Sequence, residues 1–130
     1  MTPMEETAPG YSISVESGHV LVRHTGELRV PVLEASRREA ARLARERHLS
    51  LILADVSEAT PGWLTTSEVF RLCASHHEVL PAGAAVAIVY RPDQASDRVA
   101  QFAEAVSHRR GVRLKSFTDV GAAQRWLSEG

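Results

Sequence analysis

Cys73, His76 and His77 are the first residues whose types and spacing could do chemistry. At i, i+3 and i, i+4 they share one side of a helix, where two of them could hold a metal from one direction. A structural zinc site needs four ligands, and no second Cys or His pair at suitable spacing completes the set. The alternative is a thiol-dependent enzyme, with Cys73 as nucleophile, a His as base and Asp55 in support. Cys73 falls in mid-helix on the apolar stripe, where a thiol is buried and inert. The sequence has no G-x-G-x-x-G, Walker loop, G-x-S-x-G or H-E-x-x-H. The expectation is therefore no enzyme, no catalytic residue, no metal and no cofactor, with the thiol enzyme as a remote alternative.

What remains is a surface. In open α/β sheets, ligands and partners meet the chain outside the carboxyl ends of the parallel strands. That edge gathers Asp55, Ser57 and Trp63 from one loop and Arg91 and Asp93 from the next. Thr65, Thr66 and Ser67 stand at the start of a helix, where a phosphate would be favoured by the free N–H groups. They are the candidate phosphorylation sites. A plainer account of the same residues has Thr65 or Thr66 capping the helix and the two aspartates shaping turns. Trp63, beside Pro61 and Gly62, is either tucked over the core or an anchor for a partner.

The elements that position these residues follow from periodicity. Residues 1–10, with two prolines and a glycine, read as a flexible tail. Tyr11 to Val15 alternates apolar and polar, Ser17-Gly18 is turn chemistry, and Val20 to Val22 returns, so a hairpin is expected. Pro31 opens a helix running to Arg47, with Leu33, Ala40, Leu43 and Ala44 on its apolar side. Its arginines, Arg37, Arg38, Arg42 and Arg45, read as a mostly solvated face interleaved with acids. Leu49 to Ala54 is a buried strand, and Thr65-Thr66-Ser67-Glu68 has the form of a capping box. The helix it starts places Val69, Leu72, Cys73, His76 and Leu80 on one side. Ala84 to Tyr90 is apolar on both faces, as a covered central strand must be. A helix over 95–106, a strand over 112–117 and a last helix around Val120 to Leu127 complete the order β-β-α-β-α-β-α-β-α. That order means one α/β domain over 11–130, a mixed sheet with packed helices.

Composition narrows the function classes. The chain has 130 residues, 44% hydrophobic, enough for one core. Fifteen basic residues against sixteen acidic ones give a net charge of −1, so no nucleic-acid partner is expected. One cysteine allows no internal disulfide, and no stretch approaches a membrane span. The acidic start lacks a signal-peptide pattern. The cytoplasm is the expected location. The Tyr11 to Val15 edge of the hairpin is a candidate seam for a homodimer.

The order of elements resembles the STAS-like, or SpoIIAA-like, family of small α/β domains. The stretches that carry the resemblance are Gly18 to Gly26, Leu51 to Ser57, Ala84 to Val89, and Phe117 to Leu127, the last with the pattern Phe-x-Asp-x-x-x-Ala-x-x-Trp-Leu. The resemblance implies an anti-sigma-factor-antagonist type of fold and a regulatory module that binds a protein partner. Members of this kind are switched by phosphorylation of a Ser or Thr in Asp-Ser-Ser-Gly or Asp-Ser-Thr-Gly. Here the corresponding stretch is Trp63-Leu64-Thr65-Thr66-Ser67-Glu68, so the hydroxyls are present without the flanking Asp and Gly. Similar folds also carry lipids, which keeps open a carrier or sensor of a small apolar or anionic ligand.

Overall fold

The computed structural model describes residues 10–60 and 64–129, together with the backbone of 5–8. Among the described residues, six strands and four helices follow one another. They are β1 Glu5–Ala8, β2 Tyr11–Glu16, β3 His19–His24, α1 Val30–Glu46, β4 Leu51–Asp55, α2 Thr66–Val79, β5 Ala85–Val89, α3 Asp97–Arg109, β6 Arg113–Phe117 and α4 Val120–Glu129. The expected β-β-α-β-α-β-α-β-α order is present, with one strand more at its amino end.

That extra strand corrects the reading of residues 5–8 as part of a flexible tail. Glu5–Ala8 pairs antiparallel with β2, from Glu5 opposite Ser14 to Ala8 opposite Tyr11. Strand pairing uses main-chain groups, so it leaves little trace in the apolar pattern of so short a segment. The same pairing fills the Tyr11 to Val15 edge, the candidate dimer seam.

The sheet order is β1-β2-β3-β4-β5-β6, identical to the chain order. The first three strands are antiparallel, and β3 to β6 are parallel. Ser17 and Gly18 both have positive φ, which makes the β2–β3 connection a two-residue hairpin turn of the twist-matching kind. Gly26 has a different reason to be glycine. A Cβ there would stand 2.9 Å from the Cα of Gly10, where two backbone segments close together. Thr25 N–H and Gly26 N–H both donate to Gly10 O at that crossing.

Alternation along the strands divides the core into two layers. Val20, Val22, Ile52 and Val86 face α1, α2 and α3. Leu21, Leu53, Ala85, Ala87 and Val89 face α4, whose Ala123 and Leu127 are buried against them. The crossovers never reverse direction along the sheet, so their three helices share one face. Only α4, which leads to no further strand among the described residues, covers the other. α1 packs on β2, β3 and β4, and α3 packs on β6. α2 packs on α1 and α3 rather than on the sheet. This stand-off of α2 leaves space beneath it.

Among the described residues, no helix is long and apolar enough to cross a membrane.

Candidate functional site

The loop edge at the carboxyl ends of β4 and β5 brings together four of the five residues named for it. Asp55 Oδ1 accepts from Ser57 N–H at 2.9 Å and from Ser57 Oγ at 2.6 Å, which folds the chain into a tight turn after β4. Arg91 reaches across from the β5–α3 loop and donates through Nη1 to Ser57 O. Its Nε donates to Asp93 Oδ1 at 3.0 Å. Gln94 completes the link. Its Oε1 accepts from Arg91 N–H at 2.7 Å, and its amide nitrogen donates to Val56 O at 2.8 Å. Two loops 34 residues apart in sequence thus form one hydrogen-bonded surface. Sequence pattern does not reveal Gln94, because an amide that both donates and accepts has no periodic signature. Trp63 lies outside the described residues.

The start of α2 shows the capping box in full. Thr65 Oγ1 accepts from Glu68 N–H at 3.1 Å, and Glu68 Oε1 accepts from Thr65 N–H at 2.8 Å. Thr65 is therefore engaged as a cap, whereas Thr66 and Ser67 are exposed on the first turn. Arg91, on the neighbouring loop, is held by Ser57 and Asp93.

The cysteine and histidines do not form a centre. Cys73 is buried beside Ser107, and burial raises its thiol above the ordinary range. His77 is exposed on the outer side of α2. Among the described residues, no three His, Cys, Asp or Glu side chains are placed to hold a metal.

Beneath α2 lies a cavity of about 630 Å³. Its walls are the inner faces of β3, β4 and β5 and the facing sides of α1, α2 and α3. Most of the lining is apolar, with Val22, Ile52, Val86 and Ile88 from the sheet and Leu33 and Leu72 from the helices. Polar side chains interrupt it, among them His24, Arg37 and His76. His24 is only 2% exposed and its Nε2 lies 3.0 Å from Ser36 Oγ. Ser36 spends its own proton on Leu33 O, so its oxygen accepts and His24 Nε2 carries the hydrogen. Burial lowers the pKa of His24 to about 4, which leaves the ring neutral near pH 7. Its Nδ1 is then an acceptor, buried and without a partner among the described residues.

Arg37 corrects the reading of the α1 arginines as mostly solvated. Its Nη1 turns between the helices and donates to Leu72 O and Ser75 Oγ at 2.9 Å and to His76 Nδ1 at 3.1 Å. Arg45 donates to Val79 O at 2.7 Å while remaining exposed. Arg42, paired with Glu39 and Glu46, does behave as part of a solvated face. Burial lowers the pKa of Arg37, with Glu34 and Glu78 acting on it in the opposite sense. No described carboxylate lies within ion-pair distance of it. Its Nε is buried with no partner among the described residues. His76 accepts from Arg37, so its proton sits on Nε2, and burial followed by the Arg37 charge lowers its pKa to about 4.

No protein-family model matches the chain, and no curated protein matches it significantly. Several solved structures are similar. One is the crystal structure of an anti-sigma factor antagonist from Mycobacterium paratuberculosis, with a TM-score of 0.61 and 17% identity over 95% of this chain and 99% of that one. The fold of this chain is thus the fold of an anti-sigma factor antagonist, the STAS-like α/β architecture.

Proposed function

We propose that the chain is a non-enzymatic regulatory module of the cytoplasm that binds a protein partner through the edge formed by the β4–α2 and β5–α3 loops. The observation that carries this reading is the Arg91 bridge. One side chain fixes Ser57 O and Asp93 together, so the edge is presented as a preformed surface and loses little freedom on binding. Asp93 remains largely exposed and available to a partner. The shared fold with an anti-sigma factor antagonist supports a regulatory role. Thr66 and Ser67, exposed at the start of α2, are the hydroxyls on which a kinase would act. Thr65 serves the helix cap instead.

The test is a quantitative binding comparison with a partner cross-linked to the chain in its own cells. Arg91→Ala is expected to weaken that partner about tenfold or more, because the two loops lose the bridge that preorders them. Unchanged affinity would refute the placement of the interface. Intact mass of the cellular protein reads the switch: one added phosphate on Thr66 or Ser67 supports it, and an unmodified chain removes it.

A further inference from the structure

We propose that the cavity beneath α2 is a binding site for an aliphatic monocarboxylate of the fatty-acid class, its chain between the sheet and the helices and its carboxylate on Arg37. The cavity shares Val56, Pro92 and Gln94 with the loop edge, but the site rests on Arg37 and the apolar walls and not on the partner-binding reading.

The cavity has the size of a ligand site. About 630 Å³ lies within the range of small-molecule sites and far above the voids of a packed core. It would hold a chain of roughly 12 to 18 carbons. The walls select an apolar chain. Val22, Ile52, Val86 and Ile88 offer water no hydrogen bonds, so ordered water is poorly held along them. An aliphatic chain suits such walls because it needs none.

The polar groups then choose the head group. Arg37 lines the cavity as a guanidinium held, among the described residues, only by neutral acceptors: Leu72 O, Ser75 Oγ and His76 Nδ1. Its Nε–H is buried and unsatisfied, and the half-buried guanidinium feels Glu34 and Glu78 only from beyond ion-pair distance. A carboxylate supplies both the charge and the acceptor. A phosphate fits less well. It brings up to two charges and needs several donors, whereas the two histidines in the cavity wall, His24 and His76, are neutral near pH 7. His24 Nδ1, an acceptor without a donor among the described residues, would favour chains that also carry a hydroxyl.

The experiment uses the full chain, stripped of co-purifying lipid, with dodecanoate and dodecan-1-ol as probes in isothermal titration calorimetry. Dodecanoate is expected to bind one to one and saturably, with dodecan-1-ol at least tenfold weaker. Arg37→Met, which keeps the aliphatic stem, is expected to erase that difference. Ala54→Leu, which adds bulk on the cavity floor, is expected to weaken both probes at least tenfold without lowering the unfolding temperature. No saturable binding, equal binding of acid and alcohol, or indifference to Ala54→Leu would each overturn the proposal. Should Arg37→Met fail to fold, the acid–alcohol comparison on the unaltered chain and Ala54→Leu decide it. Unchanged partner binding by these variants would leave the loop-edge reading untouched.

Discussion

Mild acid should weaken this fold through His24, and the size of the effect can be worked out. In the folded chain the ring titrates at about 4, against an ordinary value of 6.5. Between those values the unfolded chain binds more protons than the folded one, so stability falls as pH falls. The loss begins below the unfolded value and is complete below the folded one. From about pH 7.5 to about pH 5.5, where few carboxylates titrate, the gap amounts to roughly 1.4 kcal/mol for this one residue. The groups facing the ring, Ser36 and the Tyr11 ring at 5.6 Å, bring no charge to offset it. His76 and His19, both lowered by burial, act in the same direction. The informative variant is His24→Gln, whose amide nitrogen can still donate to Ser36 but does not titrate. Urea unfolding of both proteins at the two pH values is the assay. The unaltered chain should lose about 1.4 kcal/mol more than the variant. Parallel losses would show that His24 is not held neutral by burial, and its Nδ1 would no longer be a free acceptor in the cavity wall.

Two further outcomes rest on local geometry. Thr65→Ala removes the acceptor of the capping box and should cost about 1 kcal/mol in urea unfolding, while Thr66→Ala on the exposed first turn should cost a few tenths. Cys73 should react with a thiol-alkylating reagent at neutral pH on the order of a hundredfold more slowly than in urea, because the thiol is buried and its pKa raised; alkylation at the unfolded rate would contradict the packing of α2.

Much of the architecture can be read from periodicity alone. The strands β2 to β6, all four helices and the capping box lie where alternation, helical spacing and Thr65–Glu68 place them. Three things cannot be read that way. β1 pairs through its backbone, which carries no side-chain pattern. Arg37 sits at a helical angle that pattern reading assigns to solvent, yet the groove between α1 and α2 takes its head group. The cavity depends on the distance between layers, and small residues such as Ala40, Ala54 and Ala100 count equally as apolar whether the space beside them is filled or empty. The loop edge is half visible in the chain. Asp55, Ser57, Arg91 and Asp93 do converge, but the residue that ties the loops together, Gln94, has no distinguishing context in the sequence.

The identity of sheet order and chain order bears on how the molecule is made. In a doubly wound sheet a late strand must join the flank opposite its predecessor, and the growing domain waits on distant segments. Here each strand docks on the one completed just before it. The β2–β3 hairpin closes through a two-residue turn, and every parallel pairing closes a single helical crossover between residues 28 to 34 apart. These crossovers are shorter than those a doubly wound strand order needs, although parallel pairing still closes more slowly than the local hairpin. A chain emerging from the ribosome always finds its partner strand already synthesised, so the sheet can be assembled vectorially, one edge at a time, during translation.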